Sequence, residues 1–140
     1  MRYYLDTNIL VFILFDRNSD DNLDKNTLEI LAGYENIFYT SSVAIGEFFH
    51  LYKSGDFKTS KYKNPAEVFD AIDNIGITIK SVTKEHLKYY SELNTAQGHK
   101  DPNDHLIIAQ SISDRIPIIS SDRKFKLYEK YGLHLIFNKR

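Results

Sequence analysis

Short apolar blocks, each followed by a longer stretch with helical spacing, recur along the whole chain. Residues 3–5 read as a first strand, and 9–15 as an apolar helix entered through the polar trio Asp6-Thr7-Asn8. Residues 16–25 are polar and rich in turn formers. A helix over 27–34 would turn Leu28, Leu31 and Ala32 inward, and 37–40 read as the second strand. Ser42 is a candidate cap for a helix reaching about residue 53. After a loop over 55–64, Pro65 opens a helix that ends near Gly76. Strand 77–82, helix 84–95 and loop 97–100 follow. Pro102 then opens a helix to about residue 115, and strand 117–120, short helix 125–131 and strand 133–137 close the chain.

Strands alternating with helices predict an α/β fold, a three-layer α/β/α sandwich on a mostly parallel sheet. The length of 140 residues suits one domain, spanning 1–140. No internal repeat or low-complexity tract divides it. The apolar run over 9–15 is too short to span a bilayer, and no small-residue cleavage site follows it. The expected location is the cytoplasm, with no membrane partner.

Composition narrows the chemistry. Hydrophobic residues make up 42% and charged residues 26%, the balance of a globular protein rather than a disordered one. The absence of cysteine removes disulfides, thiolate metal sites and cysteine nucleophiles. With 18 basic and 19 acidic residues the net charge is −1, so attraction for nucleic acid would have to come from a local patch. No spacing suits a zinc site, and there is no glycine-rich phosphate loop or serine elbow.

Four acids stand out by position. Ligands of an open parallel sheet bind at the carboxyl ends of its strands. Asp6 directly follows the first strand and Asp122 the fourth; each could equally cap the helix after it. Glu47 sits among Val43, Ala44, Ile45, Phe48, Phe49 and Leu51. An ionised carboxylate buried there needs a partner or a metal, unless Glu47 lies on a solvent stripe with His50 and Ser54. Asp104 occupies the first turn of the helix capped by Asp101, where the helix dipole also favours an acid. Carboxylates gathered in one place repel, and a divalent cation such as Mg²⁺ or Mn²⁺ reverses that repulsion.

Around these residues the sequence resembles the PIN-domain family, and within it the VapC-like toxins of toxin–antitoxin pairs. The matching segments are Leu5-Asp6-Thr7-Asn8-Ile9-Leu10, Ser42-Val43-Ala44-Ile45-Gly46-Glu47-Phe48, the run from His99 to Gln110 with Asp101-Pro102-Asn103-Asp104 inside it, and Ile119-Ser120-Ser121-Asp122. The resemblance implies an endoribonuclease dependent on Mg²⁺ or Mn²⁺, with Asp6, Glu47, Asp104 and Asp122 as its acidic quartet. Asp6 and Asp104 would bind the metal directly, and Glu47 and Asp122 would complete the site. Thr7, Asn8 and Ser120 would support these ligands or position substrate. Cleavage would leave a 5′-phosphate and a 3′-hydroxyl. The implied partners are an RNA substrate and a cognate antitoxin whose helix lies in a hydrophobic groove, to which Phe12, Phe15, Phe48, Phe49 and Tyr52 could contribute; a homodimer stays open. His105 and Asn103 depart from the subgroup, which often has Arg and an aromatic residue at those places.

Two basic segments remain. Lys53, Lys58, Lys61 and Lys63 are interleaved with Phe57 and Tyr62, a pattern that fits either nucleic acid or a solvated loop. Arg123, Lys124, Lys126 and Lys130 follow Asp122. His99 either touches substrate or braces the loop before Asp101. The competing reading is a non-catalytic PIN-like module that holds RNA or protein. A receiver domain would need adjacent acids after the first strand, and a haloacid-type phosphatase an Asp-x-Asp, which Asn8 denies.

Overall fold

The computed structural model describes residues 1–15, 22–55 and 61–140. Five strands form one sheet in the order β3-β2-β1-β4-β5. They are β1 (Arg2–Leu5), β2 (Ile37–Ser41), β3 (Ile77–Lys80), β4 (Ile118–Ser120) and β5 (Leu135–Phe137), and all pairings are parallel. The helices are α1 (Thr7–Phe15), α2 (Lys25–Ala32), α3 (Ser42–Lys53), α4 (Pro65–Ile75), α5 (Lys84–Glu92) and α6 (Pro102–Asp114), with a 3₁₀ helix over Arg123–Tyr131. Tyr3, Tyr4 and Leu5 are all buried, as are Ile118, Ile119 and Ser120. Successive strand residues face opposite ways, so burial of each in turn means that both faces of the central strands are covered. This is the α/β architecture expected, with a sheet that is wholly rather than mostly parallel.

Local chemistry explains most boundaries. Asn64 caps α4, Pro65 occupies its first turn, and Gly76 ends it in the left-handed conformation. Asp101 caps α6 by accepting from the Asn103 N–H, again with proline in the first turn. The cap of α3 is Ser41, not Ser42. Ser41 has extended backbone and its hydroxyl accepts from the Val43 N–H, so β2 runs straight into the helix. The Ser42 hydroxyl instead accepts from the Val82 N–H. Strand β3 ends at Lys80, earlier than the apolar run suggested, and the short helix after Asp122 is a 3₁₀ helix that starts at Arg123. No helix among the described residues is long and apolar enough to cross a membrane.

The sheet order reverses beside β1, which leads to β2 on one side and neighbours β4 on the other. A crevice opens at such a switch point, beyond the carboxyl ends of the strands. Asp6 extends the β1–β4 pairing by one bond, its N–H donating to Ile119 O at 3.0 Å. That places Asp6 at the mouth of the crevice, with Ser120 opposite.

Candidate metal centre

Asp6 is 3% exposed, and its carboxylate is held on both oxygens. Oδ1 accepts from the Thr7 N–H at 2.8 Å; Oδ2 accepts from the Ser120 hydroxyl at 2.6 Å and the Asn8 amide at 3.3 Å. These are not the bonds of an ordinary cap, which would go to the second or third helical N–H. Asn8 is fixed in turn, its amide oxygen accepting from the Ser121 N–H. Thr7 reaches across the cleft and donates its hydroxyl to Glu47 Oε1 at 3.1 Å. Thr7 thus touches two of the four acids, and Asn8 and Ser120 each hold Asp6.

Asp104 lies in the first turn of α6 and turns toward the cleft, accepting from His99 Nε2 at 3.1 Å. The tautomer of His99 follows from its neighbours. Tyr128 Oη accepts from the Ala96 N–H, so its own proton points at His99 Nδ1, 2.7 Å away. Nδ1 is therefore an acceptor, and Nε2 carries the proton given to Asp104. Burial holds this imidazole below its usual pKa, so the contact is a hydrogen bond from a neutral ring rather than an ion pair. His99 braces the site from behind. His105 is also buried, donating to the His99 carbonyl at 2.8 Å, and so serves the same loop. Asn103, by contrast, is exposed and lines the cleft.

Asp122 behaves as a cap, accepting from the Lys124 N–H at 2.9 Å. It is half-buried, and its charge is felt by both Asp6 and Asp104. The capping alternative and the cluster alternative are both true of it. Asp101 likewise caps α6 and yet stands beside Glu47 and Asp104; one ligand atom from each of the three lies within 4.8 Å of the others. Sequence reading assigned Asp101 only the cap. The signal for its second place was its spacing from Asp104 around one turn.

Electrostatics separates this cluster from an ordinary acidic surface. Burial is the main cause that pushes Asp6, Glu47 and Asp104 each up to about 7. Mutual repulsion adds to it: Asp6 feels Asp104 and Asp122, Glu47 feels Asp101 and Asp6, and Asp104 feels Asp101, Glu47 and Asp122. Hydrogen bonds from Ser120, Thr7 and the Thr7 N–H pull the other way and lose. The four acids expected as a quartet feel one another's charge, but the tighter three-acid group is Glu47, Asp101 and Asp104, and both Asp6 and Asp122 stand outside it. The donor set fits a hard divalent cation: oxygen ligands, net negative charge, and a desolvated environment that a cation would relieve. Asp104 and His99 also lie within 4.8 Å of Asp122, but His99 has no lone pair turned to the cleft.

The PIN domain model matches residues 3–131, nearly the whole chain. The chain belongs to the PIN domain family. Among solved structures it is similar to a chain of VapBC2 from Rickettsia felis bound to a DNA fragment from its promoter, with a TM-score of 0.68, 24% identity, and coverage of 99% of this chain and 100% of that one. It is similar to VapBC-1 from nontypeable Haemophilus influenzae, with a TM-score of 0.66, 17% identity and 98% of both chains covered. A third likeness is to VapBC-5 from Mycobacterium tuberculosis, a member of the VapBC family of toxin–antitoxin systems, with a TM-score of 0.59, 18% identity, and 99% and 98% covered. At these identities the likeness is one of fold. No curated protein matches. Within the PIN fold the acids occupy the crevice at the ends of β1 and β4, the place where an open parallel sheet binds its ligand.

Proposed function

We propose that this PIN domain is a metal-dependent endoribonuclease and the toxin of a toxin–antitoxin pair. One observation carries the enzymatic part: Asp6, Glu47 and Asp104, each pushed up to about 7, share a cleft with Asp101 and Asp122. Evolution of a merely stable fold has no use for such repulsion, and perturbed carboxyls in a cleft mark functional sites. The toxin part draws on the fold likeness to the VapBC structures, among them VapBC-5, a member of a family of toxin–antitoxin systems.

Asp6, Glu47, Asp104 and Asp122 would hold Mg²⁺ or Mn²⁺, with Asp101 beside them. When bound, the cation supplies charge neutralisation for the phosphate and acidifies the attacking water. The chain's own groups do the positioning. Thr7 N–H and Ser120 fix Asp6, the Thr7 hydroxyl fixes Glu47, and His99 fixes Asp104. Water adds to phosphorus and the bond from phosphorus to the 3′ oxygen breaks, leaving a 5′-phosphate and a 3′-hydroxyl.

The test is cleavage of total RNA by wild type and by Asp104→Asn, each with Mn²⁺ and with Mg²⁺. Wild type cleaves and Asp104→Asn does not, while circular dichroism shows both folded. Full activity in the variant would overturn the site. Induced expression of wild type should arrest bacterial growth, and growth unaffected by an active enzyme would overturn the toxin role.

A further inference from the structure

The segment that leaves β5 is tied to two loops at once, and one of them belongs to the acidic cluster. Asn138 directly follows β5 and is 0% exposed. A buried amide is costly unless its donors and its acceptor are met. Here they are: Oδ1 accepts from the Asp24 N–H at 2.8 Å, and Nδ2 donates to Asn22 O at 2.6 Å and to Ser121 Oγ at 2.8 Å. The Asn138 N–H adds a bond to Ser120 O. Chemistry fixes the way the amide points, since the Asp24 N–H requires its oxygen and the Asn22 carbonyl requires its nitrogen.

Asn22 and Asp24 lead into α2, and the contacts to them fasten the chain. Lys139 and Arg140 add to that fastening: the Lys139 N–H donates to Asp24 Oδ2, and the Arg140 guanidinium reaches Asn22 Oδ1 and lies 4.9 Å from the centre of the Phe12 ring. The contact to Ser121 does something else. Ser121 stands between Ser120, which donates to Asp6, and Asp122. Its N–H donates to Asn8 Oδ1 at 3.2 Å, which leaves the Asn8 nitrogen to face Asp6 Oδ2 at 3.3 Å. Asn138, Ser121, Asn8 and Asp6 thus form one file of hydrogen-bonded groups. Its last two bonds are at the long end of the normal range, so a small displacement of Ser121 is enough to break them. An apolar side chain at 138 could fill the same space, but it would leave Ser121 without its anchor.

We propose that Asn138 is a positioning residue of the metal centre, acting on Asp6 through Ser121 and Asn8. The proposal rests on the metal site read above and extends it to a residue that touches none of the acids in that site.

The test is a double-mutant cycle on the full chain: wild type, Asn138→Ala, Asn8→Ala and the two together, with Ser121→Ala as a second probe of the same link. Calorimetry on the metal-free proteins gives the Mn²⁺ dissociation constant, and thermal melting in EDTA gives stability. Asn8→Ala should weaken Mn²⁺ binding about tenfold, and Asn138→Ala and Ser121→Ala each about threefold. In the Asn8→Ala background, Asn138→Ala should change Mn²⁺ affinity no further, while its loss of melting temperature persists, because groups in one file couple and independent ones add. If Asn138→Ala does not fold, Ser121→Ala takes its place in the cycle, since it breaks the file and leaves the Asn138 side chain present. An equal fold-loss of Mn²⁺ affinity with and without Asn8 would overturn the proposal, as would wild-type affinity in Asn138→Ala or Ser121→Ala; Asn138 would then be a plug that only stabilises. A wild type that binds no Mn²⁺ would instead overturn the metal site beneath it.

Discussion

Helix α6 carries an aspartate at each end, and the two are tuned in opposite directions. Asp104 is in its first turn and Asp114 is its last residue. The helix dipole alone would favour the charge on Asp104 and disfavour it on Asp114. The reverse is found: Asp104 is pushed up to about 7, and Asp114 is held below the usual carboxylate range. Partners decide. Asp114 accepts from the Tyr4 hydroxyl, from Lys80 Nζ at 3.3 Å and from His86 Nε2 at 2.8 Å. His86 is fixed as the donor because its Nδ1 accepts from the Thr83 N–H. Asp104 has one neutral donor, His99, and faces Asp101, Glu47 and Asp122. One end of the helix is a satisfied structural anchor. The other is an unsatisfied cluster that the fold tolerates, and on that contrast the proposed metal site rests.

The largest effect that can test this contrast is on pH. For a carboxyl whose folded pKa is raised, stability is fully present below the unfolded pKa and drains as pH rises through the folded one. Asp6 and Asp104 start from 3.8 and Glu47 from 4.5, and each reaches about 7. The metal-free protein should therefore lose stability between about pH 4 and pH 7. The loss is on the order of 3–4 kcal/mol, less than three independent shifts because the groups titrate together. Asp114 has the opposite sign: its contribution is present above its unfolded pKa and lost as pH falls below about 4. Urea unfolding in EDTA at pH 5 and pH 8 measures this. Equal stability at the two values would mean that the cluster is not strained, and saturating Mn²⁺ should restore stability mainly at pH 8.

Substitutions at the two helix ends should move stability in opposite directions. Asp114→Ala strands the Tyr4, Lys80 and His86 donors and should cost about 2–3 kcal/mol. Asp104→Asn keeps the shape and removes a repelled charge, so the metal-free protein at pH 8 should gain on the order of 1–2 kcal/mol, and almost nothing at pH 5. Thermal denaturation at both pH values reads both. A loss of stability in Asp104→Asn at pH 8 would place the two aspartates in the same structural class.

This contrast shows what the chain discloses before it is folded. The element order, Pro65 and Pro102 in their first turns, Gly76 as a stop and the Asp101 cap are local chemistry, and all are legible from a few residues. The four acids proposed as the quartet are only partly legible in this way: Asp6 and Asp122 follow strands and Asp104 starts a helix, whereas Glu47, midway along its helix, stands out only by its apolar neighbours and by the resemblance to the PIN family. The rest depends on contacts far apart in sequence. Tyr128 stands 29 residues from the His99 it orients, and Tyr4 stands 110 from Asp114. Asn138 is fully buried, its amide donating to Asn22 O and Ser121 Oγ, and nothing in its own neighbourhood announces that. His105 appears beside Asp104 in the motif yet points into the core. Phe12 and Phe48 are buried too, whereas Phe15, Phe49 and Tyr52 are half-buried in the aromatic cluster around α1 and α3. Phe57 and Lys58 of the first basic segment lie outside the described residues; Lys61, within them, rests over the Tyr62 ring. Of the second segment, Lys124 acts on Asp104, while Lys126 lies over Phe137.

The smallest of these effects tests the brace behind Asp104. Tyr128→Phe removes a hydroxyl that both accepts from Ala96 and donates to His99. The stability cost should be about 1 kcal/mol, since one buried hydroxyl is lost and its two partners are left short. The consequence for His99 is more telling than the cost. With no proton offered to Nδ1, the ring is free to carry its own hydrogen there. Its Nε2 would then face Asp104 as a lone pair instead of a donor. Mn²⁺ affinity should fall by about 10-fold, the scale seen when a ligand loses its supporting hydrogen bond. Imidazole nitrogen shifts of His99 should move from the Nε2–H pattern toward a mixture of tautomers. An unchanged tautomer in Tyr128→Phe would show that Asp104 itself, not Tyr128, holds the proton on Nε2.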